Sequence, residues 1–160
     1  GSIYSYRRSQ LEILTRSTKV AHELDMAGYI RWCLENPSAE TVINFQTRYL
    51  SVSEKNQRGM ADYELAMQRL LDAPFYGLVE YFDESLKQLQ NYLCGTFGDM
   101  DFGYKIMNRS PNRLGTLKER LAHIEYSLGD SLYEELLGRN ALDLQLYEQA
   151  IKIFESRMLS

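Results

Sequence analysis

Cysteine is scarce in this chain of 160 residues: Cys33 and Cys94 stand alone, with no C-x-x-C pair. That excludes a disulfide-built framework and offers no zinc-site spacing. Both thiols read as buried and reduced, which favours an intracellular, cytoplasmic setting. Positive charge is also short. Lys and Arg number 18 against 22 Asp and Glu, for a net charge of −4 and a pI near 5.3. Nucleic-acid binders concentrate cations on one face, so no nucleic-acid partner is expected. No apolar run approaches the roughly 20 residues that span a bilayer, and no signal-peptide pattern opens the chain. The Gly1-Ser2 start reads as the remnant of a cloning or protease site. A Walker-type phosphate loop and a G-x-G-x-x-G turn are both missing.

What is present is a mainly α pattern, long enough for one domain spanning 1–160 with a hydrophobic core. Residues 3–16 suggest a first helix, with Ser17-Thr18-Lys19 interrupting it. Asp25 is placed to cap a helix whose apolar face carries Met26, Tyr29, Ile30, Cys33 and Leu34, and which stops at Asn36-Pro37. A short helix restarts at Ser38, and 44–50 reads as an ordered loop or a helical turn. Polar residues 51–59 suggest a surface loop. A clear helix covers 62–71 and ends at Pro74. The aromatic and β-branched run 75–82 predicts the one short strand, with Asp83 capping the helix that follows and Gly95 and Gly98 ending it. Thr116-x-x-Glu119 is a capping box. Further helices start at Gly129-Asp130 and at Ala141, the last burying Leu142, Leu146, Ala150, Ile153 and Phe154.

Chemistry-bearing candidates are few. Glu119 and His123 lie four apart on one helix, but two ligands do not make a metal site, so no metal is expected. His22 is isolated. Glu80, inside an apolar run, reads either as a buried acid tied to backbone donors or as a general base with a raised pKa. For anions there is arginine, whose planar donor fork suits phosphate. Arg48 follows Asn44, Phe45, Gln46 and Thr47; Arg109 and Arg113 flank Asn108, Ser110 and Asn112 in the irregular stretch before the Thr116 cap. That stretch reads equally as solvated surface.

Two word-like segments go further. Gly77-Leu78-Val79-Glu80 with Phe82-Asp83-Glu84-Ser85-Leu86 matches G-x-x-E-x-F-D-E-S-L. Asn140-Ala141-Leu142-Asp143 with Tyr147 matches a terminal-helix signature. With Asn44 to Leu50, which is similar to N-x-Q-T-R-x-L, they resemble the C-terminal half of sulfotransferases that use 3′-phosphoadenosine 5′-phosphosulfate (PAPS), in the carbohydrate O-sulfotransferase branch. Weaker likenesses are Ile3 to Arg8, which looks like the helix after the family's R-D-P-x-x-R-x-x-S segment, and Tyr104 to Arg113, in the place of the loop that closes over the donor's nucleotide.

The resemblance implies the helical C-terminal portion of a P-loop-like α/β fold, whose phosphate-binding half and early catalytic base have no counterpart here. It implies Arg48, Asn108, Arg109, Ser110 and Arg113 as contacts for PAPS, and Gln46 and Thr47 as residues shaping the substrate side of the cleft. The acceptor would be a hydroxyl of a carbohydrate or small metabolite. Alone, such a half is expected to be inactive, and to self-associate through the face left by its missing sheet. The rival expectation is a non-catalytic, all-helical interaction module, for which amphipathic helices need no ligand.

Overall fold

The computed structural model describes residues 16–36, 42–53, 60–98, 102–104 and 115–158. The expected helix over 3–16, the restart at Ser38 and most of the 51–59 loop lie outside them. Helix accounts for 78% of the described residues, and no strand is found among them, which sets the class as mainly α. The chain divides into two units, each drawn from two stretches: Gly1–Phe45 with Asn112–Ala141, and Gln46–Pro111 with Leu142–Ser160.

In the first unit, α1 (Arg16–Glu23) and α2 (Met26–Glu35) pack together, and α2 also meets α6 (Leu117–Leu128) and α7 (Asp130–Arg139). The Ser17-Thr18-Lys19 interruption does not occur. Thr18 is buried within α1 beside Ala21, so tertiary packing overrides weak local propensity. The Asp25 carboxylate accepts from the Gly28 N–H at 2.7 Å and starts α2. Tyr29, Ile30, Cys33 and Leu34 then share its buried face with Ala21, Leu128 and Leu132. At its end the Asn36 amide donates to the Trp32 carbonyl (2.7 Å) and Arg139 to the Leu34 carbonyl (3.2 Å), satisfying groups the helix itself leaves unpaired. The Thr116–Glu119 capping box forms with both reciprocal bonds. Gly129 links α6 to α7 at φ 72°, a left-handed backbone that glycine adopts without the clash a side chain would bring.

In the second unit, α8 (Ala141–Met158) lays Leu146, Ala150 and Phe154 four apart on one buried face. They meet Ala66 and Leu70 of α4 (Tyr63–Asp72), which Asp62 caps through the Leu65 N–H, and Leu78. Arg69 donates to the carbonyls of Leu50 and Val52, at the end of α3 (Phe45–Leu50). Arg157 does the same for Leu71 and Ala73, at the end of α4, and stacks over Tyr76 at 5.2 Å. Both guanidiniums thus close helix ends.

The strand expected over 75–82 is not formed. Leu78 is extended (φ −112°, ψ 136°), but no described segment lies alongside to make a ladder, and a 3₁₀ turn follows at Val79–Tyr81. The Leu78 N–H instead donates to the Ser85 hydroxyl at 3.0 Å, and that hydroxyl donates to the Tyr81 carbonyl at 2.7 Å. Gly77 is needed here for close approach: a Cβ on it would sit 3.0 Å from the Ser85 Cβ. The next helix, α5 (Phe82–Phe97), begins one residue before Asp83 and has no side-chain cap. Asp83 lies within its first turn, where a carboxylate still suits the helix dipole. Gly95 does not end the helix; Gly98 does, at φ 70°.

Candidate functional site

Asp143, in the first turn of α8, accepts three hydrogen bonds from α3. One carboxylate oxygen accepts from both the N–H and the hydroxyl of Thr47, each at 2.7 Å. The other accepts from the Gln46 N–H at 3.0 Å. A charged acceptor thus takes two donors at the start of α3 that the helix cannot satisfy. Thr47 is 0% exposed, so it holds α3 in place and does not itself face a ligand. Arg48, next along α3, is half-buried, and its carbonyl accepts from the Ser51 hydroxyl. In the first unit, Asn140 pairs similarly: its side-chain oxygen accepts from the Asn44 N–H at 2.9 Å, while its amide donates to the Leu136 carbonyl.

One turn beyond Asp143, the Tyr147 hydroxyl donates to Glu80, and burial together with that carboxylate pushes the phenol's pKa up to about 12. Tyr81 behaves alike. Its hydroxyl donates to Glu155 at 2.7 Å, and that bond raises its pKa. Glu80 itself is exposed, so neither expectation that it is buried, as a structural acid or as a base, holds; the inward position goes to Leu78. Proton linkage sets a prediction. A phenol ionising near pH 10 when unfolded and near 12 when folded favours the fold fully below pH 10, and the contribution is lost as pH rises toward 12. Ultraviolet titration should show a tyrosine still neutral at pH 11, and Glu80→Gln should bring its midpoint down, leaving only the part due to burial.

Of the arginine candidates only Arg48 is described, next to Gln46 and Thr47 in α3; Asn108, Arg109, Ser110 and Arg113 lie outside the described residues. Near the start of that stretch, Tyr104 donates to Asp83 at 2.7 Å and packs edge-on against Phe82, their ring centres 4.8 Å apart. Glu119 is occupied by its cap, and those bonds hold its carboxyl below the usual range. His22 and His123 are exposed. Among the described residues no three His, Cys, Asp or Glu side chains gather as a metal would require, and no helix is long and apolar enough to cross a membrane. Cys33 is buried, as expected, but Cys94 is exposed, because it lies off the apolar side of α5.

Sequence reasoning placed Asp143 and Tyr147 in one word, Glu80 and Thr47 in two others, and did not pair Asp143 with Thr47 or Tyr147 with Glu80. Spacing within a word carries no record of a bond across about a hundred residues. Only paired variation between the words could have disclosed it.

Over 155 residues, 96% of its length, the chain is 28% identical to an uncharacterized protein of Archaeoglobus fulgidus. The match takes in 61% of that protein, so the chain spans about three fifths of the relative's length. No family model matches the chain, and no solved structure does.

Proposed function

We propose that this chain is the helical part of a PAPS-dependent sulfotransferase whose whole form passes a sulfuryl group to a hydroxyl of a carbohydrate or small metabolite. One observation supports the reading: the family-like words are bonded to one another. Asp143 of the terminal-helix signature holds Gln46 and Thr47 of the N-x-Q-T-R-x-L segment. Tyr147 of the same signature bonds Glu80, and Ser85 bonds Leu78 within G-x-x-E-x-F-D-E-S-L. Segments that resemble a family by chance have no reason to interlock through the very residues that carry the likeness.

In this reading Arg48, with Asn108, Arg109, Ser110 and Arg113, contacts the donor. Transfer needs the acceptor oxygen in line with the sulfur and cations on the oxygens that gain charge. The arginines suit the second task. None of the described side chains is assigned as the base.

The desulfated donor, 3′-phosphoadenosine 5′-phosphate, is the probe. In calorimetric titrations it should bind the longer archaeal relative, and this chain more weakly. Replacing Arg109 and Arg113 together with Ala should weaken binding to this chain by about a hundredfold or more, given ~1.5–3 kcal/mol for each charge-assisted bond. No binding to the longer protein, or an affinity indifferent to the double substitution, would remove the donor site from this chain. The rival reading, a helical interaction module without catalysis, draws on the exposed apolar residues of α5 and predicts no response to the nucleotide at all.

A further inference from the structure

Asp83, Leu86, Lys87 and Gln90 of α5 stand at the i, i+3, i+4, i+7 spacing of one helix face. Opposite them runs the segment 102–104, and between the two lies a groove of about 510 Å³. That volume falls within the range of small-molecule sites, about 300–1,000 Å³. The second wall is aromatic: Phe102 and Tyr104 flank Gly103, which has no side chain to fill the space. Tyr104 is fixed twice over, by its bond to Asp83 at 2.7 Å and by its edge contact with Phe82. These contacts tie the second wall to the start of α5 and still leave Tyr104 51% exposed.

The two charges beside the groove are not equivalent. Asp83 already accepts the Tyr104 hydroxyl. Lys87, one turn further along and exposed, makes no hydrogen bond or ion pair among the described residues. A cationic ligand would meet only an acid that is already engaged, and a neutral one would leave the ammonium unused. Flat rings suit the walls, because aromatic side chains favour offset or edge-on ring partners. We infer that the groove seats a small planar aromatic ring carrying one anionic group, the ring between Leu86 and the aromatic pair and the anion at Lys87. The inference stands apart from sulfuryl transfer: it uses no residue assigned to the donor.

Naphthalene-2-carboxylate is the probe, with naphthalene-2-methanol and naphthalen-2-ylmethylammonium as its neutral and cationic counterparts. In amide NMR titrations of the 160-residue protein, the carboxylate should move the signals of Lys87, Gln90 and Gly103. It should bind about fivefold more tightly than the alcohol, the size of one partly exposed charge contact, and the ammonium should bind least. Lys87→Met keeps the aliphatic stem and removes the charge at an exposed position, so the fold is kept and the carboxylate should fall to the alcohol's affinity. Tyr104→Leu should weaken carboxylate and alcohol alike. No shifts with any of the three at millimolar concentration, shifts centred elsewhere, or a preference unchanged in Lys87→Met would overturn the proposal. Displacement of the carboxylate by 3′-phosphoadenosine 5′-phosphate would overturn it too, because the groove would then belong to the donor site. If that nucleotide does not bind at all, the sulfotransferase reading fails while the naphthalene series still decides this one.

Discussion

Phe154→Ala should destabilise the second unit by about 4 kcal/mol, the upper range for deleting a buried aromatic ring. Phe154 is 0% exposed and lies at the centre of the cluster made by Ala66, Leu70, Leu78, Leu146 and Ala150. Two tyrosine rings also rest on it, Tyr81 at 5.5 Å and Tyr76 at 6.2 Å between centres. Those tyrosines are not free to collapse into the space left behind. The Tyr76 hydroxyl is tied to the Ala150 carbonyl and the Tyr81 hydroxyl to Glu155, so filling the void would break one bond or the other. The cavity therefore stays largely open, which places the loss toward the large end of its range. Phe154→Leu keeps most of the volume and should lose no more than about 1.5 kcal/mol. Urea unfolding followed by far-ultraviolet circular dichroism is the measurement. Tryptophan emission would report on the wrong place, because Trp32 belongs to the first unit. Equal losses for the two substitutions would mean that the ring is not what holds the cluster together.

The α8 face that carries Phe154 was legible in the sequence because its apolar spacing repeats over four turns. So were the caps at Asp25 and Thr116, since capping depends on three or four neighbouring residues and on little else. The run 75–82 was misread for a physical reason. Aromatic and β-branched residues mark a strand only if another strand is present to take the backbone donors. Here the Ser85 hydroxyl takes the Leu78 donor, and the aromatic rings are used for their hydroxyl ends. Asp83 was misplaced by one turn position because the 3₁₀ turn runs directly into α5 and leaves no residue outside the helix to act as a cap. The candidate site was legible as words but not as pairs. Thr47 and Asp143 are 96 residues apart, and nothing in either segment states which acid answers which hydroxyl. The arginine stretch 105–114, the part of the site with the most direct chemical meaning, rests on the sequence alone.

The pairing also sets the second large effect. Asp143→Ala should remove about 3 kcal/mol from the second unit. The carboxylate accepts three bonds, and its loss leaves the exposed Gln46 N–H and both the N–H and the hydroxyl of the buried Thr47 without their acceptor. Bonds to a charged acceptor contribute about 1.5–3 kcal/mol, and a buried donor left unpaired adds its own desolvation penalty. Asp143→Asn keeps one acceptor oxygen but turns an NH₂ toward donors, so it should recover no more than about half of the loss. Thr47→Val removes one of the three donors at nearly constant shape and should lose about 1 kcal/mol. The double substitution is the sharper test. If the hydroxyl and the carboxylate act as a pair, their losses will fall short of additivity by about 1 kcal/mol, whereas a carboxylate that merely favours the α3 dipole would give additive values. Under the proposed function a consequence follows for Arg48, which sits one residue beyond the clamp. Thr47→Val leaves both backbone bonds to Asp143 in place and should not alter nucleotide affinity. Asp143→Ala frees the start of α3 and should weaken it, even in conditions where the protein remains fully folded by circular dichroism.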